Sequence, residues 1–276
     1  MTTQRAERAT PGQPSLNGDG KARGPTLFLL AHHDDEVFCA GHLARALRDG
    51  QPVGLLWATA GGLAPARRRL AEGDQVRRLL GLPEALARSL ALPDQGAALH
   101  LAPLESAAEE LLATLWTRSG AGPAGRAEVF VPAYEGGHPD HDALNVVAAR
   151  LGARHPELTV YEFPLYHRNA FWLSVQGAPP PVPATPNYAV LWLDDEALTL
   201  RRRLVGANAS QSLPSLVPLL ALAAWAGRRR AEPARRLPAH AYSLPPAPRP
   251  LLYELFTRRR FPWFRALVHD YVSDNS

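Results

Sequence analysis

Cysteine is almost absent from this 276-residue chain: Cys39 stands alone, so no internal disulfide can form. A lone thiol fits a reducing compartment, and the cytoplasm is the expected location. Lysine is as scarce, Lys21 being the only one, so nearly all the positive charge is arginine. With 30 basic residues against 26 acidic ones, the formal charge is only +4. No RNP-type or zinc-finger pattern accompanies that charge, and nucleic acid is not expected as a partner. Residues 1–24 lack the apolar stretch of a signal peptide and read as a disordered leader. Residues 25–276 then form one domain, with a less regular last third.

Long apolar runs are missing too. A spanning helix needs about 20 mostly apolar residues. The nearest candidate, Leu213 to Ala226, is shorter and contains Pro214 and Pro218. A buried helix is the better reading there, while Arg228, Arg229 and Arg230 beside it leave peripheral membrane contact open.

What is present is an alternation of strand and helix signals. The apolar run Thr26 to Ala31 and the stretches Val53 to Thr59, Ser89 to Leu92, Glu128 to Val131 and Leu158 to Phe163 read as buried strands. Helical spacing separates them, at Gly41 to Arg48, Arg67 to Leu80, Leu104 to Thr117 and Asp140 to Leu151. Such alternation predicts an α/β fold, a Rossmann-like and mostly parallel sheet with helices on both faces. Further on, Tyr188 to Leu193 reads as a strand, and Asp195 to Ala207 and Trp263 to Val272 as helices. Prolines at 179–186 and 245–250 mark loops.

Two clusters carry chemistry. Ala31-His32-His33-Asp34-Asp35-Glu36 stands where the first strand ends. Gly136-Gly137-His138-Pro139-Asp140-His141-Asp142 follows the Glu128 to Val131 strand in the same way. Ligands of open α/β sheets sit outside the carboxyl ends of strands. A borderline cation such as zinc takes imidazole nitrogen and carboxylate oxygen together, and the three-residue spacing of His32 and Asp35 brings both to one point. Asp34 could instead cap the helix that follows. If the two strands are neighbours, the clusters face each other across one crevice.

These motifs resemble those of the PIG-L/LmbE-like N-acetylglucosaminyl deacetylases, which carry A-H-P-D-D-E at a strand end and H-P-D-H later. The second motif is intact here; in the first, His33 stands in the proline's place. The resemblance implies metal ligands at His32, Asp35 and His141, with zinc expected and ferrous iron or manganese compatible. It implies Asp34 as general base and His138 as the group that protonates the leaving amine or stabilises the tetrahedral intermediate. Asp140 would orient the His138 imidazole. Arg69, Glu72 and Leu80-Gly81 keep the register of a family helix, and Leu92-Pro93-Asp94 follows, so Arg69 and Asp94 are implied contacts for sugar hydroxyls. Ala209-Ser210-Gln211 resembles a late family element without an assigned role.

Smaller candidates follow from the residues themselves. Tyr134 and Glu135 precede the glycine turn and could reach over the crevice, Tyr134 as an oxyanion donor or else as a packing aromatic. Tyr166, His167 and Arg168 follow the fifth strand and could line the substrate side. Arg258 to Phe264 mixes arginine with aromatics, which suits an anionic lipid surface, an acidic substrate or a packed helix. The expected activity is metal-dependent hydrolysis of an N-acetyl or N-acyl group on an amino-sugar-containing substrate. The alternatives are an amidase for a larger glycoconjugate or secondary metabolite, and a catalytically silent sugar-binding protein.

Overall fold

A computed structural model describes residues 24–61, 64–120, 122, 125–169, 172–175, 188–212 and 230–273. Residues 1–23 of the leader and the Leu213 to Ala226 segment lie outside the described residues. Among those described, no helix is long and apolar enough to cross a membrane.

The alternation becomes a seven-stranded sheet. Its first five strands are β1 (Thr26–Leu30), β2 (Val53–Thr59), β3 (Ala87–Leu92), β4 (Ala127–Pro132) and β5 (Leu158–Phe163). Two more, β8 (Ala189–Trp192) and β9 (Ala231–Arg236), complete the order β3-β2-β1-β4-β5-β9-β8. The first five pair in parallel, and β9 runs antiparallel to both β5 and β8. A separate hairpin joins β6 (Tyr166–Asn169) to β7 (Trp172–Val175).

Alternate side chains of each strand feed two cores, as the two-residue period of a strand requires. Leu27, Leu29, Val129 and Val131 pack with α3 (Leu101–Ser119) and α4 (Pro139–Arg154). Short α6 (Leu252–Phe256) and α7 (Phe261–Ser273) lie on that same face through Tyr253, Phe261 and Phe264. Phe28, Leu30, Phe130 and Tyr161 face α1 (Ala40–Arg48), α2 (Ala66–Leu79) and α5 (Asp195–Ala207). Burial on both faces explains why the central strands read as continuous apolar runs.

The polar β9 is the strand that the sequence conceals. Its Glu232 bonds Arg201 of α5 and accepts from the backbone of Gly41 and His42, so it satisfies the start of α1 from across the fold. Its Arg235 donates to Glu162 of β5 at 2.6 Å.

The strand order matters for function at one place. From β1 the chain winds outward to β2 and β3, and then returns to place β4 on the other side of β1. The two helices leaving β1 and β4 therefore diverge, opening a crevice at the carboxyl ends of this strand pair. Both motifs sit there.

Candidate metal centre

The first motif turns sharply out of β1. Asp34 adopts φ 135°, a conformation that costs a non-glycine residue strain and that clusters at functional sites. A 3₁₀ turn over Asp35–Cys39 follows. The turn is fixed by Asp35, whose Oδ2 accepts from the backbone of Ala31 at 2.7 Å and His32 at 3.0 Å. Its other oxygen is left to face the crevice. Glu36 turns away and accepts from Asp34 N, Trp57 Nε1 and Asn208 Nδ2, so it braces the loop from behind.

The second motif is a helix start. His138 is the N-cap of α4, its Nδ1 accepting from Asp140 N at 3.3 Å, with Pro139 in the first turn where its missing N–H costs nothing. Because Nδ1 is the acceptor, the proton of a neutral His138 resides on Nε2, the nitrogen that faces Asp94 at 3.7 Å. Asp142 holds the approach by accepting from the backbone of Glu135 and Gly136. Gly137 has no room for a side chain, since the Tyr166 carbonyl occupies the place of a Cβ.

Three donors converge between the motifs. His32 Nδ1 lies 3.2 Å from His141 Nε2, which lies 3.3 Å from Asp35 Oδ1, and the third edge, His32 Nδ1 to Asp35 Oδ1, is 3.8 Å. A tetrahedral zinc with arms of 2.0–2.1 Å separates its ligands by about 3.3 Å. The set therefore has the dimensions, and the mixed nitrogen and oxygen chemistry, to hold a divalent metal. Charge agrees. Burial works against a carboxylate at Asp35, yet His141 and His32 hold it well below the usual range. Burial likewise opposes charge on His32, but Asp140, Asp35 and Asp94 outweigh it and raise its pKa, the mark of a place that attracts a cation.

Around the triad, Asp34 and Arg69 form the second feature. Burial pushes the Asp34 carboxyl up to about 7, against the opposing pull of Arg69, and the charge of Asp35 adds to the rise. The sugar contact implied for Arg69 is not what the fold builds. Arg69 is instead buried, with its donors engaged by Asp34 at 3.1 Å, Glu72 at 3.1 Å and the Ala60 carbonyl at 3.3 Å. Glu72 accepts in turn from the backbone and hydroxyl of Ser210, each at 2.6 Å, which gives the late Ala209-Ser210 element its place in the fold.

Other expectations resolve in the same way. Asp94 does border the crevice, 3.4 Å from His32 Nε2. Asp140 is buried beside both histidines but stands closer to His32 Nε2, at 3.3 Å, than to His138, at 3.7 Å. Its carboxylate is pinned by the backbone N–H groups of Gln95 and Ala97, so it backs His32 rather than aligning His138. Tyr134 is not a crevice donor: it is buried, gives its hydroxyl to the Leu244 carbonyl at 2.8 Å and packs on Tyr242. Glu135 also points inward, holding the backbone of Leu165 and Tyr166 and the His167 ring. His33 turns away from the triad, stacked on Trp57 with Nε2 3.1 Å from Ser89 Oγ.

Of the three residues expected to line the substrate side, Tyr166 stands by the triad, while His167 is held by Glu135 and Arg168 donates to the Pro250 carbonyl. The Tyr166 ring stands edge-on to His141, with centroids 5.3 Å apart, and its hydroxyl makes no hydrogen bond among the described residues. Asp35, Asp34 and Asp94 all lie within electrostatic reach of that phenol.

Residues 27–151 match the PIG-L family, described as GlcNAc-PI de-N-acetylase. The resemblance carried by the two motifs is thereby borne out, and the matched segment contains both. No curated relative matches the chain. Among solved structures, the conserved protein TT1542 from Thermus thermophilus is 24% identical, with a TM-score of 0.51 over 76% of this chain and 93% of its own. The zinc-inhibited form of the teicoplanin deacetylase Orf2 is 16% identical, with a TM-score of 0.52 over 77% of this chain and 98% of its own. Both share the PIG-L/LmbE fold with this protein.

Proposed function

We propose that residues 25–276 act as one metal-dependent de-N-acetylase domain that hydrolyses the N-acetyl group of an amino sugar, free or within a glycoconjugate. The observation that carries this reading is the convergence of His32 Nδ1, Asp35 Oδ1 and His141 Nε2 on one point at the strand switch, with Asp34 beside it. Zinc suits the donor set best, and ferrous iron or manganese also fits. Such a metal, when bound, lowers the pKa of water and polarises an amide carbonyl.

The chain's own residues supply the rest. Asp34, raised toward neutrality by burial and held by Arg69, takes the proton of the attacking water. His138, neutral with its proton on Nε2, donates a hydrogen bond to the charge that develops on the carbonyl oxygen, and Asp34 passes the proton it took from water to the departing nitrogen. Tyr166, whose hydroxyl has no partner among the described residues, donates to that oxygen in the role that Tyr134 is too deeply packed to fill. Asp94, at the border of the crevice, meets the sugar.

Acetate release from a panel of N-acetylated sugars and glycoconjugates, with and without chelator, tests the activity. Chelation should abolish turnover, and Asp34→Asn should lower kcat by roughly 10²–10⁴-fold with metal content unchanged. Full turnover by Asp34→Asn would remove it as the base.

A further inference from the structure

We propose that the tip formed by the end of α6 and the start of α7 docks this protein onto an anionic lipid surface. Leu255 and Phe256, the last two residues of α6, are 53% and 80% exposed, against a fold whose other aromatic rings on this face are packed. A phenylalanine this exposed protrudes instead of lining a groove. The tip is also of one charge. From Leu255 to His269 the sequence holds Arg258, Arg259, Arg260 and Arg265 and no acidic residue. The acidic residue that precedes this stretch, Glu254, is turned inward, where it binds Arg249 and the backbone of Leu251 and Phe261. Arg259 lies over the Trp263 ring, 4.2 Å from its centroid, while Arg260 is held by the Glu254 and Thr257 carbonyls.

Exposed apolar side chains followed in the chain by arginines and a part-exposed tryptophan are what an interface of acyl chain and anionic headgroup takes up. A protein partner is less well served. A stable interface buries about 800 Å² on each side, and two projecting side chains offer a fraction of that. The tip is also joined to the crevice: Leu251 fills the space over Gly136, and Tyr253 N reaches the Gly136 carbonyl at 3.4 Å. The helix that would touch the membrane thus rests on the turn that leads to His138. Docking there would hold the crevice near the headgroup layer, where an amino sugar carried on a lipid would be met. That last consequence rests on the deacetylase reading; the docking itself does not.

Sedimentation of the full-length protein with phosphatidylcholine vesicles, with and without phosphatidylglycerol, tests it. Binding should need the anionic lipid and weaken as salt is raised. Phe256→Glu should weaken it at least about ten-fold, and Arg258→Ala with Arg259→Ala by about five-fold per arginine, with melting temperature and turnover of a soluble substrate kept. Equal binding by wild type and variants, or none to anionic vesicles, would overturn the proposal. So would a concentration-dependent dimer that Phe256→Glu abolishes, since the tip would then belong to a second copy of the chain.

Discussion

Arg69 Nη2 lies 3.1 Å from Asp34 Oδ1, and that contact joins the base candidate to a buried network that reaches Glu72 and Ser210. A guanidinium is suited to this place because its planar fork serves several acceptors at once, which an ammonium cannot do. Arg69→Lys should therefore fail to rescue what Arg69→Ala loses. Both variants should lower kcat by roughly 10-fold or more, and Arg69→Ala should also destabilise the fold by about 3–5 kcal/mol through the carboxylates left unpaired. Steady-state kinetics beside chemical denaturation separate the two effects.

Tyr166→Phe removes one hydroxyl and nothing else from the crevice. If that hydroxyl meets developing charge, kcat should fall by about 10²-fold, with KM and metal content little changed. Unaltered kcat would leave Tyr166 as a packing partner of His141.

Asp140 stands behind His32, 3.3 Å from its outer nitrogen. Carboxylates in that position fix the ring and raise its basicity. Asp140→Asn should weaken metal affinity by about 10–100-fold, measured by competition with a chelating dye. His141→Ala should lose the metal outright.

Gly73 and His33 share one space, the imidazole standing where a Cβ on residue 73 would be. Gly73→Ala should drive His33 off the Trp57 ring and cost about 1–3 kcal/mol, seen as a lower melting temperature. A substitution of His33 to the smaller proline of the family motif should relieve part of that cost in the double variant.

Glu254 gives a dependence of stability on pH. Burial opposes its charge, but Arg249 and the backbone N–H groups of Phe261 and Leu251 prevail and hold the carboxyl down at about 2. A folded pKa below the ordinary value contributes stability that is complete above about 4.5 and is lost as pH falls toward 2. With Arg249 half exposed, the effect should be on the order of 1 kcal/mol. Glu254→Gln should flatten that acid limb in denaturation curves recorded across this range.

Most of the central sheet was legible in the chain because its strands are buried on both faces and so read as unbroken apolar runs; the Val53 to Thr59 and Leu158 to Phe163 strands match residue for residue. β9 was not legible. Its Glu232, Pro233 and Arg235 deny a strand locally, and only Arg201 and Glu162, far away in sequence, neutralise them. The β6–β7 hairpin stayed hidden because Tyr166 to Asn169 is polar and short.

The candidate metal set divides along the same line. The sequence alone determined which residue types stand at the ends of β1 and β4, and the three-residue spacing of His32 and Asp35 that lets one turn aim both. Whether His141 would meet them depended on β1 and β4 being neighbours, which no local pattern encodes. Tertiary structure also decided the directions of side chains. Arg69 and Tyr134 turned inward, where Glu72, the Ala60 carbonyl and the Leu244 carbonyl accept from them, while the Tyr166 hydroxyl found no partner among the described residues. Spacing along a chain fixes what can converge; packing decides what has already been satisfied elsewhere.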